Sequence, residues 1–150
     1  MSATSDEGPI LITAGGSGWN DPKVMAYDNE AYNHSTYAFA QESLNYWTGR
    51  GLAASKAVLG VPFYGRGHSN WGSTITYASL VSQNSANACP DSNGTYGYNG
   101  IKTIRSKGAL ARSYGGAMYW EQSQDSTGSN SLTTALREAV NGQAGSYYCP

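Results

Sequence analysis

Charged residues are scarce in this sequence, and that scarcity excludes several classes of function. They make up 13% of the 150 residues, and the formal net charge at pH 7 is -1. A nucleic-acid partner would require a basic stripe, so we predict no such partner. No apolar run approaches the roughly 18 residues of a membrane span, so we predict no membrane partner either. The N-terminus, Met-Ser-Ala-Thr-Ser-Asp-Glu-Gly, has neither a basic nor a hydrophobic region, and we expect no signal peptide in this chain.

Cysteine is also rare, since Cys89 and Cys149 are the only cysteines in the sequence. They are too far apart for a CxxC metal-binding motif, and no Cys/His cluster lies near either one, so we predict no metal and no cofactor. A disulfide that ties the C-terminal tail to the loop at Cys89 would fit an oxidising compartment. Two free thiols fit the sequence about equally well, because spacing alone does not decide between them.

Phenylalanine is nearly absent, although other aromatic residues are abundant. The chain has 2 Phe against 12 Tyr and 4 Trp. Tyr and Trp carry polar edges, so they suit a wet surface better than a dry core. A hydrophobic content of 39% over 150 residues indicates one globular domain spanning 1–150. Within it we interpret residues 1–20 as a leader or an irregular segment.

Short apolar runs predict four buried strands, at 10–14, 23–27, 57–63 and 115–120. The third is apolar on both faces, which is typical of a parallel sheet that is covered on both sides. Amphipathic patterns predict helices that begin near residues 35, 77, 101 and 132, with Ser35 as the N-cap of the first and Asn130 or Ser131 as that of the last. Gly108 is a poor choice for the interior of the third helix. The remainder of 67–100 is predicted to be loop.

Strands that alternate with helices predict βα units, and therefore a parallel sheet with right-handed crossovers. About four parallel strands with their helices fit either a small open α/β sheet or half of a TIM-type (β/α) barrel. The pattern alone leaves both architectures open. In either one the functional edge lies at the carboxyl ends of the strands.

Three predicted strands end in chemically similar segments. These are Met25-Ala26-Tyr27-Asp28, Phe63-Tyr64-Gly65-Arg66 and Met118-Tyr119-Trp120-Glu121. An aromatic ring stacks on the apolar face of a pyranose, while Asp, Tyr and Arg bond its hydroxyl or acetamido groups, so the combination predicts a neutral sugar ligand. Each residue taken singly has a plainer interpretation. A strand-end Tyr or Trp is often a partly buried core residue, Met25 and Met118 are typical core filler, and Arg66 can pair with Asp28 or Glu121.

The same segments carry a family resemblance. Met-x-Tyr-Asp at 25–28, Leu-Gly-Val-Pro-Phe-Tyr-Gly-Arg at 59–66 and Gly-Gly-Ala-Met-Tyr-Trp-Glu at 115–121 resemble, in order, the sixth, seventh and eighth strands of glycoside hydrolase family 18 chitinases. Tyr98-Asn99-Gly100-Ile101 and Thr103-Ile104-x-x-Lys107 resemble the segment before the last strand. The resemblance runs from about Lys23 to Val140. It implies the C-terminal half of the catalytic barrel, from strand five or six to strand eight.

The resemblance also implies roles for the strand-end residues. Tyr27 and Asp28 would position the acetamido group of an N-acetylglucosamine unit, whose oxygen attacks the anomeric carbon in the family's substrate-assisted, retaining mechanism. Trp120 would stack under the same sugar, and Tyr64 and Arg66 would line the neighbouring cleft. The substrate would be chitin or chito-oligosaccharides. The residues expected to contact it are Met25, Tyr27, Asp28, Tyr64, Arg66, Trp120 and Glu121.

The family's catalytic acid motif is absent from this sequence. The signature Asp-x-x-Asp-x-Asp-x-Glu supplies the general acid, and no four of the 10 carboxylates in the chain have this spacing. General acid catalysis contributes about 10²- to 10⁴-fold, so we expect the chain by itself to be inactive. Glu121 and Asp28 are poor substitutes, since Glu121 is better explained as a carboxylate that holds an arginine or a backbone amide. Thr13-Ala14-Gly15 corresponds in order to the fifth strand, although the helix that should follow is missing.

Two functions of different classes remain open. The chain is either an enzyme fragment of a secreted chitinase or a non-catalytic, carbohydrate-binding chitinase-like module. An unrelated open-sheet protein is a weaker third hypothesis. Half a barrel leaves two sheet edges and an apolar face uncovered, so we expect a homo-oligomer or a missing N-terminal half that covers them.

Overall fold

A computed structural model of the chain describes residues 10–12, 23–29, 31–146 and 149. Its strands are β1 (Ile10–Ile12), β2 (Lys23–Met25), β3 (Val58–Pro62), β4 (Tyr64–Gly67), β5 (Thr74–Thr76), β6 (Tyr96–Gly97) and β7 (Ala117–Trp120). Its α-helices are α1 (Tyr37–Thr48), α2 (Tyr77–Gln83), α3 (Ile101–Ala111) and α4 (Leu132–Val140). Single 3-10 turns cover Ala54–Lys56, Ser85–Ala88, Gln122–Gln124 and Gly128–Asn130. None of the helices in these ranges is long and apolar enough to cross a membrane.

The main sheet has the strand order β1-β2-β3-β7. β2 pairs with β3 and β3 pairs with β7, and both pairs are parallel. The prediction of an α/β fold built on a parallel sheet is therefore confirmed. The sheet does not close, because β1 and β7 each have one hydrogen-bonded neighbour strand within the described residues.

β1 departs from the prediction of about four parallel strands. It runs antiparallel to β2, with Ile10 opposite Met25, so the parallel part of the sheet consists of β2, β3 and β7. Residues 13–22 join the two strands. A parallel neighbour needs a crossover of about a dozen or more residues that usually contains a helix, whereas an antiparallel neighbour needs only a loop. The end of the predicted strand, at Thr13-Ala14, lies outside the described residues.

β3 is the centre of the sheet and of the core. All five of its residues are buried, as expected for a strand that is covered on both faces. The hydrophobic cluster around it draws on every layer of the fold and includes Val24, Leu44, Leu59, Val61, Phe63, Ile104 and Leu136. α1 and α3 pack on the sheet, and α4 packs on α3.

The helices begin and end near the predicted positions, with one wrong cap. α1 is capped by Thr36, whose side chain accepts a hydrogen bond from the backbone N–H of Phe39 at 3.0 Å. Ser35 was the predicted cap, but it is buried and its hydroxyl donates to the carbonyl oxygen of Ala26 at 2.6 Å. Ser131 caps α4 through the backbone N–H of Thr134, which confirms one of the two predicted alternatives.

Gly108 has a packing reason for its place inside α3. A Cβ atom built on it would lie 2.7 Å from the Cβ of Ala139 in α4, closer than two such atoms approach. Glycine therefore lets α3 and α4 pack in close contact. The unfavourable helix propensity, about 1 kcal/mol relative to alanine, accompanies that close approach.

A second, antiparallel sheet was not predicted: β5 and β6 fall in the region predicted to be loop, whereas β4 coincides with the predicted end of the third strand. Its strand order is β5-β4-β6, and β4 follows β3 after the single residue Phe63. The strands are two to four residues long and contain Gly, Thr and Arg in place of an apolar alternation, so they give almost no periodic signal. This small sheet stands at the carboxyl end of β3 and forms one wall of the pocket described below.

Cys89 and Cys149 form a disulfide, with their Cα atoms 5.6 Å apart. This decides between the two alternatives that the sequence leaves open. The bond closes a sequence separation of 60 residues. In the chain-entropy model a loop of that length contributes about 4 kcal/mol of stability by restricting the unfolded chain.

Candidate functional site

Asp28 is the centre of a polar cluster at the carboxyl end of β2. Its Oδ1 accepts hydrogen bonds from the Tyr64 hydroxyl at 2.7 Å and from Arg66 Nε at 2.8 Å, and Arg66 Nη2 lies 2.8 Å from the same oxygen. No hydrogen bond from the described residues reaches Oδ2. Asp28 adopts a left-handed backbone with φ 60°, which turns the chain sharply just after the strand.

The strand order explains why these residues meet. β2 and β3 are parallel neighbours, with Met25 opposite Gly60, so both strands deliver their next residues to the same edge. β3 passes almost directly into β4, which carries Tyr64 and Arg66 to Asp28. Residues 36 and 38 positions apart in the sequence therefore become hydrogen-bonded neighbours.

His34 fixes the backbone of this cluster from below. Its ring is fully buried, and its Nδ1 accepts a hydrogen bond from the backbone N–H of Asp28 at 3.1 Å. Its Nε2 lies 3.1 Å from the carbonyl oxygen of Tyr64. Because Nδ1 accepts, Nε2 carries the proton and donates to that carbonyl, and the ring is neutral. Burial lowers the pKa of His34 to about 4, although the Tyr64 carbonyl and the Asp28 charge oppose that shift.

The ionisation states in the cluster follow from burial and mutual contacts. Burial alone would raise the pKa of Asp28, but the hydrogen bonds from Arg66 and Tyr64 and the Arg66 charge outweigh it and hold the pKa below its ordinary value. Burial and the hydrogen bond to Asp28 raise the pKa of Tyr64. Burial and the charge of Asp28 raise the pKa of Tyr27. At neutral pH the site therefore combines one carboxylate, one guanidinium and two protonated phenols.

Tyr27 lies beneath the cluster and has an unusual hydroxyl group. The residue is 6% exposed, and its ring meets Tyr64 edge-on with the centroids 6.2 Å apart. Its buried hydroxyl has no hydrogen-bond partner among the described residues. Gly60 makes room for the ring, since a Cβ there would lie 3.2 Å from Cε1 of Tyr27. A buried donor without a partner is rare in proteins.

A pocket of about 310 Å³ opens above the cluster. Trp120, at the end of β7, forms one wall of the pocket and is 54% exposed. Arg66 links the pocket to Trp71, with its guanidinium carbon 4.9 Å from that ring centroid. The residues that line the pocket are Asp28, Tyr64, Arg66, Thr74, Ile75, Thr76, Trp120 and Gln124.

Other proteins of known structure share the fold around this pocket. No protein-family model matches the chain, but solved structures do. A family 18 chitinase from the chitin utilization locus of Flavobacterium johnsoniae matches with a TM-score of 0.75 at 32% identity, over 80% of this chain and 42% of that chain. A chitinase from Bacteroides thetaiotaomicron matches with a TM-score of 0.70 at 27% identity, over 82% of this chain and 46% of that chain. Over most of its length the chain is therefore similar to chitinases of glycoside hydrolase family 18.

The family 18 barrel is present here in part. The matched region spans 42% and 46% of the two chitinases, in agreement with a parallel sheet that does not close. The predicted partial TIM-type barrel is thereby confirmed. A chitinase-like agglutinin from Robinia pseudoacacia shares the fold, with a TM-score of 0.63 at 21% identity over 79% of this chain and 46% of that chain.

The structure brings together most of the residues that the family 18 motifs single out. Asp28, Tyr64, Arg66 and Trp120 line the pocket. Met25 and Tyr27 do not line it and pack against Gly60 beneath it, where Met118 also lies. Of the two partners considered for Arg66, the ion pair is with Asp28.

Glu121 is held in a local turn after β7. It caps the 3-10 turn at Gln122–Gln124, accepting hydrogen bonds from the backbone N–H and the hydroxyl of Ser123. This agrees with a carboxylate that holds a backbone amide at the strand end. It is joined to Trp120 by a cis peptide bond.

Several site residues give no signal in the sequence. His34 follows the strand by several residues, and only the fold places it under Asp28. Thr74, Ile75 and Thr76 line the pocket through β5, which lies in the region predicted to be loop. Gln124 comes from the turn after β7. Among the described residues, no group of three or more His, Cys, Asp or Glu side chains is placed to hold a metal ion.

Proposed function

We propose that this chain binds chitin or chito-oligosaccharides in the pocket above Asp28. The observation that carries the proposal is the meeting of three strand ends around one pocket: Asp28 after β2, Tyr64 and Arg66 in β4, and Trp120 in β7. The half-exposed indole offers a flat apolar surface for a pyranose ring. Oδ2 of the ionised Asp28 can accept a hydrogen bond from an acetamido N–H or a hydroxyl group.

Tyr27 adds a reason to favour an N-acetylated sugar. Its protonated, buried hydroxyl needs an acceptor, and an unsatisfied donor costs about 1–3 kcal/mol. An acetamido carbonyl oxygen that reaches the floor of the pocket would accept this hydrogen bond. With Asp28 on the amide N–H and Tyr27 on the carbonyl, both ends of the acetamido group would be held, as the family mechanism requires when this oxygen attacks the anomeric carbon.

We propose that the chain alone does not hydrolyse the glycosidic bond. Asp28 is held ionised by Arg66 and cannot donate a proton to a leaving group at neutral pH. The Glu121 carboxylate is hydrogen-bonded to Ser123 in a turn, and no four carboxylates in the sequence have the spacing of the family's acid motif. As an enzyme fragment, the chain would therefore be the sugar-binding half of a chitinase, and the proton donor would belong to another segment.

Calorimetric titration with the N-acetylglucosamine tetramer tests the binding proposal. The chain should bind the tetramer, and Trp120→Ala should weaken the affinity by about tenfold to a hundredfold because it removes the stacking surface. Tyr37→Ala is the matched control, because Tyr37 is an exposed aromatic residue at the start of α1 and does not line the pocket. Absence of any binding by the unmodified chain, or an equal loss in both variants, contradicts the proposal. Release of shorter oligomers by the purified chain contradicts the proposed inactivity.

A non-catalytic binding module is the second candidate function. The absence of a positioned acid favours it, and the shared fold with a chitinase-like agglutinin shows that the barrel also occurs outside chitinases. Fusion of this chain to the acid-bearing half of a family 18 barrel distinguishes the two. Hydrolysis by the fusion supports the enzyme fragment, whereas tight binding without hydrolysis supports the module.

We further propose that the chain corresponds to the last strands of the barrel, with its open edges covered by another copy or by the missing half. β7 has β3 as its one neighbour among the described strands, and an exposed strand edge promotes association. Light scattering should detect a dimer, and a monomer at all concentrations argues against self-association. The disulfide favours a secreted protein, since such bonds persist in oxidising compartments.

A further inference from the structure

Lys107 lies in α3, behind the sugar-binding pocket, and is fully buried. Its Nζ contacts three oxygen atoms: the Ser35 carbonyl at 2.7 Å, the Ser35 hydroxyl at 2.6 Å and the Asn99 side-chain carbonyl at 2.6 Å. The Asn99 amide also donates to the Ser35 carbonyl at 2.7 Å. Both Asn99 and Lys107 fall in the sequence segments that resemble family 18 but line no part of the pocket.

The three contacts match an ammonium group. A charged lysine has three N–H donors and no acceptor, and here each donor has one oxygen. The Ser35 hydroxyl gives its own proton to Ala26, so it can only accept from Lys107. None of the ion pairs among the described residues includes Lys107. Burying a cation without a paired anion costs several kcal/mol, and the three hydrogen bonds to Ser35 and Asn99 offset that cost.

The Lys107 contacts lead to the pocket in two steps. Ser35 is adjacent to His34, and its hydroxyl is bonded to Ala26 at the end of β2. His34 in turn accepts from the backbone N–H of Asp28 and contacts the carbonyl oxygen of Tyr64. The connection from β2 to α1 is thus fastened to α3 by Lys107 on one side, and it supports Asp28 and Tyr64 on the other.

We propose that Lys107 is a positioning residue for the sugar site: its ammonium group fixes Ser35 and, through His34, the ligand-binding arrangement of Asp28 and Tyr64. The inference rests on the proposed function of the pocket. It also explains why the Asn99 and Lys107 segments accompany the strand-end motifs in this chain. Lys107 itself does not touch the sugar.

The proposal predicts that the affinity for the sugar depends on pH. Burial lowers the pKa of Lys107 to about 7, opposed by the negative charge of Asp91. As the pH rises through this value, the amine loses one N–H, so one of the three oxygens loses its donor and the connection loosens. The groups near Lys107 and the pocket whose pKa values are shifted keep their states from pH 6 to 9. His34 is neutral there, since its pKa is about 4. Asp28 is ionised, since its pKa lies below the ordinary carboxyl value, and Tyr27 and Tyr64 are protonated, since their pKa values are raised.

The experiment compares the unmodified chain with Lys107→Met between pH 6 and pH 9. Affinity for the N-acetylglucosamine tetramer should fall about fivefold in the unmodified chain as the pH rises, the effect of one lost hydrogen bond. Lys107→Met should bind weakly at every pH, with a flat profile. Lys102→Met, on the exposed face of the same helix, should keep the profile of the unmodified chain. A flat profile in the unmodified chain, or a Lys107→Met variant that binds as the unmodified chain does, overturns the proposal.

A second measurement keeps the test independent of sugar binding and of whether Lys107→Met folds. The ¹⁵N signals of the His34 ring, distinguished from those of His68 by a His68→Gln variant, report the contacts to Asp28 and Tyr64. They should shift between pH 6 and 9 in the unmodified chain, with a midpoint that follows Lys107. Unchanged signals over this range refute the positioning role. If these signals shift while no tetramer binds, the proposed function fails and the positioning role stands.

Discussion

The carboxyl edge of the sheet and the α3–α4 layer behind it are built in opposite ways. At the edge, Trp120 is half exposed, Asp28 is left-handed, and the buried Tyr27 hydroxyl has no described partner. In the helical layer, Gly108 permits close packing against α4, and Glu138 is bonded to Arg105 and Ser146. Exposed and strained groups tend to collect where a protein binds a ligand, whereas close packing serves stability. We therefore expect substitutions of pocket residues to change binding, and substitutions at the contact of α3 with α4 to change mainly stability.

The disulfide should give the largest effect on stability. The double variant Cys89→Ala, Cys149→Ala removes a link over 60 residues and should lower the free energy of unfolding by about 4 kcal/mol. Neither residue lines the pocket, so the folded fraction should bind the tetramer with unchanged affinity. Urea denaturation, with calorimetry below the transition, measures the two quantities. A marked loss of affinity in the folded protein would show that the disulfide supports the pocket as well as the stability of the fold.

Overpacking the α3–α4 contact should come next. Gly108→Val places a branched side chain where even a Cβ would lie 2.7 Å from Ala139, and should destabilise the protein by about 3 kcal/mol. Ala109→Val is the control, because residue 109 is exposed in the same helix. Its substitution should change the free energy of unfolding only by the small difference in helix propensity. Denaturation of both variants in parallel measures the difference. Equal stability of the two variants would show that the helices do not pack as closely as described.

Removing the charge at the pocket should affect both properties. Asp28→Asn keeps the shape and tolerates the left-handed backbone, but leaves Arg66 without its carboxylate. We expect a loss of about 2 kcal/mol in stability and at least about a tenfold loss of affinity for the tetramer. Glu42→Gln, an exposed carboxylate in α1, is the control. Unchanged binding by Asp28→Asn would remove Asp28 from the sugar site.

Tyr27→Phe should give the smallest change, with opposite signs for the two properties. Because the described structure gives its hydroxyl no partner, its removal should raise the free energy of unfolding by about 1 kcal/mol while weakening sugar binding. Tyr98→Phe is a matched control, since the hydroxyl of Tyr98 donates to the Asn87 carbonyl at 2.9 Å. That variant should lose about 1 kcal/mol of stability and keep its affinity. Destabilisation by Tyr27→Phe would mean that the hydroxyl is already satisfied in the folded chain.

The parallel strands and the helices could be predicted because their signals are local. The fully apolar run of β3 and the spacing of Ala40, Leu44 and Trp47 in α1 indicate burial from a few neighbouring residues. The strand-end motifs likewise identified Asp28, Tyr64, Arg66 and Trp120 as neighbours, since parallel strands end at one edge. The second sheet was missed because strands of two to four residues have no period to detect.

The sequence by itself determined the α/β class, the strand ends that form the pocket and the absence of the acid motif. Only the tertiary structure decided the antiparallel direction of β1, the pairing of Cys89 with Cys149, and the places of His34 and Lys107 under the site. Side-chain periodicity and motif spacing depend on residues close together in the chain. Hydrogen bonds such as that from Lys107 to Ser35 join residues 72 positions apart, and no local pattern records them.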